Sequence, residues 1–137
     1  MREQLLAIDD ADLHLSIVCK IATQAGFETT GAATVGEATR LLRERTFDCI
    51  TLDLSLGEQS GVDILKMLSE TKCRTPIIVI SGSGDAACAE SIGIGNFLDL
   101  NICQPIPKPI NLAVLRAVLT QIAHDTQRQR LATPAGW

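Results

Sequence analysis

Three kinds of side chain able to act together on a phosphoryl group stand at four places far apart in the sequence, yet each place has the same local setting. Asp9 and Asp10 follow the aliphatic run 5–8, Asp53 follows the run 49–52, Ser81 follows 77–80, and Lys108 follows a weaker run, 102–106. Three carboxylates gathered in one place repel and raise one another's pKa unless a cation stands among them. A hard, oxygen-seeking ion such as Mg2+ meets that need, keeping several waters and leaving a position for a phosphate oxygen. A lysine ammonium opposite the metal neutralises a second phosphate oxygen, and a serine hydroxyl hydrogen-bonds the third. Asp53 is then set as a nucleophile toward phosphorus, giving an aspartyl-phosphate by positioning and electrostatics.

That chemistry needs a frame that brings these run ends together. Runs without polar alternation fit strands covered on both faces, as in a parallel sheet, while the more polar stretch 27–32, with Glu28, Thr29 and Thr30, suits an edge strand. Helical spacing fills the intervals. Leu13, Ile17, Ile21 and Ala25 recur every four residues up to Gly26, which supplies a stop. Thr34 to Glu37 form a capping-box pattern ahead of Ala38, Leu41 and Leu42. Val62, Leu65 and Leu68 follow Gly61, and Asn111 caps a last helix bearing Leu112, Leu115, Leu119 and Ile122. A further helix is expected over 86–92, its end blurred by Gly93 and Gly95, which cost about 1 kcal/mol each inside a helix. The alternation of strand and helix defines a doubly wound α/β domain with right-handed crossovers, whose functional groups gather at the carboxyl ends of the strands.

Composition narrows the alternatives. The chain has 137 residues, 46% of them hydrophobic and 20% charged, enough for one domain that folds without disulfide or structural metal. Twelve Lys and Arg against 16 Asp and Glu give a net charge of −4, with no basic stripe, so direct nucleic-acid binding is disfavoured. No apolar run approaches the roughly 18 residues of a spanning helix and no signal-peptide core follows Met1, which points to no membrane association and a cytoplasmic location. Five cysteines without a Cys-x-x-Cys or Cys/His cluster read as small apolar fillers.

In the residues just named, the sequence resembles the receiver domains of two-component response regulators, over roughly residues 3–124. The matching text is residues 6–10 for the first strand and acidic pair, 52–56 with Gly61 for the phosphoacceptor strand and loop, 76–82 for the fourth strand, and Pro107-Lys108-Pro109 for the lysine. The resemblance implies a flavodoxin-like, five-stranded parallel sheet in the order 2-1-3-4-5 with helices on both faces, with 125–137 as a tail or linker. It implies that a histidine kinase or phosphotransfer protein phosphorylates Asp53, that Asp9, Asp10, Asp53 and the backbone carbonyl of Ser55 hold Mg2+ directly or through water, and that Lys108 and Ser81 contact the phosphoryl group. A cis peptide between Lys108 and Pro109 is implied too. Such a domain is a signalling switch that catalyses its own phosphorylation, not an enzyme acting on external substrates. Its output partner, attached effector domain or second copy is expected on the face of the fourth helix, fifth strand and last helix.

Departures from the pattern leave other readings open. Pro105 stands where many receivers carry an aromatic residue, and the chain has no Tyr. The stretch 86–101 looks longer than the common fourth helix and its loop, a feature similar to receivers attached to cyclic-di-GMP phosphodiesterase domains. Gly57 replaces a frequent Pro, which loosens the loop through Glu58, Gln59 and Ser60. A phosphorylation-independent binding module of the same fold is the alternative. A flavin-type nucleotide binder is opposed by Asp9, Asp10 and the scarcity of aromatics; a phosphatase lacks an acid two residues after Asp53, where Ser55 stands. Asp10 and Asp12 also suit a helix cap. His14 and His124 read as surface or satisfied histidines outside the mechanism.

Overall fold

In a computed structural model of the chain, residues 3–53, 55–56, 59–70, 74–81, 100–103, 105–107 and 109–132 are described. Their elements run β1 (Glu3–Ile8), α1 (Asp12–Gln24), β2 (Phe27–Ala32), α2 (Val35–Glu44), β3 (Cys49–Asp53), β4 (Ser55–Leu56), β5 (Gln59–Ser60), α3 (Gly61–Glu70), β6 (Ile77–Ser81), β7 (Ile106–Pro107) and α4 (Leu112–Ala132). The expected helix over 86–92, the Gly82 to Gly84 loop, Gly57, Glu58 and Lys108 with its peptide to Pro109 lie outside the described residues.

The strands of the main sheet pair in parallel in the order β2-β1-β3-β6-β7, which is the 2-1-3-4-5 arrangement once the short β4 and β5 are set aside. Strand pleating explains why these runs are almost wholly apolar. Along β1, Leu6 and Ile8 join one hydrophobic cluster, and Leu5 and Ala7 join the other. Ile50 and Leu52 likewise oppose Cys49, and Ile77 and Val79 oppose Ile78 and Ile80. Successive side chains leave opposite faces of a strand, so a strand buried on both sides is apolar at most positions, with Thr51 the polar exception inside β3. One cluster is closed by Ala38 and Leu41 of α2 with Ile64, Leu65 and Leu68 of α3; the other by Val18, Ile21 and Ala22 of α1 with Leu115 and Leu119 of α4. Each fully buried leucine or isoleucine contributes roughly 1.5–3 kcal/mol.

Local signals set the helix ends. Thr34 Oγ1 accepts from Glu37 N–H at 3.1 Å, and Asn111 Oδ1 accepts from the N–H groups of Ala113 and Val114 at 3.0 and 3.2 Å, so both expected caps form. Gly26 has φ of 103°, the left-handed conformation that ends α1.

Four local expectations change. Asp10 and Asp12 do not cap α1; its N-cap is Ala11, whose backbone N–H is taken by the Asp9 carboxylate. The buried stripe of α1 is Val18, Ile21 and Ala22, and Leu13 is 71% exposed. The loop after Asp53 folds into an antiparallel hairpin, Ser55 opposite Ser60 and Leu56 opposite Gln59, that leads directly into α3. The last strand is only Ile106–Pro107, with a lone bridge between Ile102 and Ile77. Proline lacks the N–H a longer ladder would use, and Pro105 precedes this strand while Pro107 is its last residue. Among the cysteines described, Cys19, Cys49 and Cys103 are free thiols, and burial pushes all three up from the ordinary thiol range.

Candidate phosphoacceptor and cation site

Strand register explains why acids 44 positions apart meet. Ile8, the last residue of β1, pairs with Leu52, so the chain leaves β1 at Asp9 beside Asp53, the last residue of β3. Asp53 pairs with Ile80, and the next residue, Ser81, pairs with Pro107. The carboxyl edge of the sheet therefore carries Asp9, Asp53 and the backbone of Ser81 on adjacent strands, with Pro107 beyond. Ser55 follows two residues after Asp53, at the start of the hairpin that begins at this edge.

Both acids are buried, Asp9 at 3% and Asp53 at 2% exposure. Asp9 is anchored twice. Its backbone N–H donates to the Ala32 carbonyl at 3.0 Å, and its Oδ1 accepts from Ala11 N–H at 2.9 Å, which turns Oδ2 toward the interior of the site. Asp10, the next residue, is exposed and stands outside the cluster.

A third ligand-type side chain comes from α1. One atom each of Asp9, His14 and Asp53 lie within 4.8 Å of one another, and His14 Nδ1 is 3.9 Å from Asp9 Oδ2. The imidazole is half-exposed, but Nδ1 itself is buried and makes no hydrogen bond among the described residues. This departs from the expectation of a surface or satisfied histidine. The signal was present in the spacing: positions 14, 18, 21, 22 and 25 form one helical stripe, and Val18, Ile21 and Ala22 are its buried part.

The donor set fits a hard cation. Two nearly buried carboxylates within reach of one ion supply charge and oxygen donors, and the exposed side leaves room for waters. Receiver domains as a class bind Mg2+ through acidic residues, and Asp9 and Asp53 form such a pair here.

Comparison with known proteins agrees with the geometry. The family model for the response regulator receiver domain matches residues 5–120, and the chain belongs to that family, the signalling domains of two-component systems. The chain is 34% identical over 88 residues to the chemotaxis protein CheY of Thermotoga maritima, covering 64% of this chain and 73% of that one. The receiver domain of a LuxO repressor protein from Vibrio parahaemolyticus superimposes with a TM-score of 0.81 at 18% identity, over 98% of this chain and 99% of that one. A response regulator from Burkholderia pseudomallei, solved with a phosphorylated aspartic acid, a calcium ion and citrate, gives a TM-score of 0.70 at 25% identity, over 96% of this chain and 75% of that one.

Proposed function

We propose that this receiver domain accepts a phosphoryl group on the Asp53 carboxylate from the phosphohistidine of a histidine kinase or phosphotransfer protein, in a Mg2+-dependent step. The observation that carries the reading is the burial of Asp9 and Asp53 side by side at the carboxyl edge of the sheet, a juxtaposition that strand register imposes and a cation relieves. Asp9, Asp53 and the backbone carbonyl of Ser55 would hold the ion directly or through water, with the exposed Asp10 carboxylate reaching it through water. When bound, Mg2+ neutralises charge on the phosphoryl oxygens. Asp53 attacks phosphorus, the P–N bond to the donor imidazole breaks, and the histidine leaves. Ser81, at the end of β6, and Lys108, the residue after β7, take the remaining phosphoryl oxygens.

Phosphorylation then acts by population shift: contacts from Ser81 and Lys108 that exist only with the phosphoryl group favour one arrangement of the output face, which includes β7 and α4. A partner protein or attached effector domain reads that face in the cytoplasm. The modified aspartate of the Burkholderia pseudomallei relative, with its calcium ion, supports the reading by similarity. No described helix is long and apolar enough to cross a membrane.

Intact mass after incubation with Mg2+ and a small phosphodonor tests the reading. One added phosphoryl group in the wild type, lost in Asp53→Ala and in a chelated control, is the expected result. An unmodified wild type would overturn it in favour of a binding module that works without phosphorylation.

A further inference from the structure

His14 reaches the acid pair because of how α1 begins. The chain turns at Asp9, the Ala11 N–H is tied to the Asp9 carboxylate, and Leu15 N–H closes the first turn on the Ala11 carbonyl at 2.9 Å. Helical side chains lean toward the helix N-terminus. A residue at the third position of α1, on the inward stripe with Val18 and Ile21, therefore overhangs the strand ends, where the neighbouring Leu13 points to solvent. Nδ1 is the ring atom turned inward: it is buried, 3.9 Å from Asp9 Oδ2, while the rest of the ring stays partly exposed.

Two ligands on one tetrahedral or octahedral ion at ~2.1 Å stand about 3.0–3.4 Å apart. The 3.9 Å between Nδ1 and Oδ2 exceeds that by roughly 0.5 Å for a tetrahedral ion and about 0.9 Å for an octahedral one, which rotation of a half-exposed imidazole closes. Two carboxylates and one imidazole on a single side of an ion, with water on the other, suit a borderline divalent ion better than Mg2+. Imidazole nitrogen favours Zn2+, Ni2+ and Fe2+, whereas Mg2+ takes oxygen and gains little from the ring. We infer that His14 Nδ1 is a third protein ligand at this site, so that the receiver binds a borderline divalent transition ion, with Zn2+ as the representative, through Asp9, Asp53 and His14, in addition to binding Mg2+ through oxygen donors alone. The inference rests on the acid pair of the proposed function and gives that site a second cation chemistry.

The test titrates the whole chain with Zn2+ alone and with Mg2+ alone by calorimetry, in wild type, His14→Gln and Asp53→Asn, and follows the imidazole nitrogens by 15N NMR. The sequence has two histidines, so the two rings are readily told apart. Loss of a second-sphere partner weakens metal binding by roughly ten- to hundredfold, and loss of a direct ligand costs at least as much. The expected result is a Zn2+ affinity about tenfold or more weaker in both variants, a Zn2+-dependent shift of the His14 Nδ1 resonance that Asp53→Asn abolishes, and a Mg2+ affinity changed less than about twofold by His14→Gln. Zn2+ affinity unchanged in His14→Gln, or a shift confined to Nε2 or to His124, would overturn the inference and leave the imidazole as a neighbour of Asp9 only. Wild type that binds neither ion would overturn the acid-pair reading itself. Zn2+ held at a cysteine would be recognised by its indifference to both substitutions, and that result too would overturn the inference.

Discussion

Asp53 sits at the end of a strand whose five residues are all buried, beside a second buried acid, and such a pair costs stability until its charge is offset. A bound divalent ion stabilises the folded state by roughly 2.7 kcal/mol when present at about a hundred times its dissociation constant. Urea unfolding is therefore expected to show Mg2+ raising the stability of the wild type, with most of that increment gone in Asp53→Asn. In chelator that increment is absent from both proteins. An increment of the same size in both proteins would place the ion elsewhere. At this scale the acids were legible, since an aspartate ending a largely apolar buried strand needs a partner, which an ordinary turn aspartate would not. His14 was not, because its placement depends on the rotation of α1 about its own axis, and an apolar residue at position 13 allowed a second stripe that burial rejects. Asp10 is expected as an ion holder from the acidic pair of the resemblance; its side chain is exposed, so it reaches the cluster of Asp9 and Asp53 only from the solvent side.

Elements hold the site through their ends. Asn111 takes two N–H groups at the start of α4, and Thr34 takes one at the start of α2. Asn111→Ala and Thr34→Ala are each expected to cost about 1 kcal/mol by chemical denaturation, as cap removal does. A change below a few tenths would mean that tertiary packing alone fixes those helix starts. These caps were readable because Ser, Thr, Asn and Asp compete for backbone donors near helix ends, a strictly local effect. The hairpin of β4 and β5 was not: Ser55–Leu56 and Gln59–Ser60 are too short for any periodicity, and their pairing is decided by the need to step from the sheet edge into α3. The weak fifth strand is shorter than its apolar run implied, since two prolines leave it few donors.

The molecule as a whole is a sheet with a separate core on each side, Leu65 lying in one and Leu119 in the other, both fully buried. Leu65→Ala and Leu119→Ala are each expected to cost about 2–5 kcal/mol, and the double variant close to the sum, because the sheet separates the two cavities. Strong non-additivity in equilibrium unfolding would show that the layers couple through the strands. The doubly wound order was legible because aliphatic runs and amphipathic segments alternate regularly, and the carboxyl edge of such a sheet is where chemistry collects whatever the sequence distance. The central claim is that Asp53 carries the phosphoryl group. Its most direct test is to phosphorylate the chain with Mg2+ and a small phosphodonor, reduce with borohydride, which converts an aspartyl-phosphate to homoserine, and map the product by peptide mass spectrometry. The account predicts homoserine at position 53 and nowhere else; an intact Asp53, or homoserine at another acid such as Asp9 or Asp10, would contradict it.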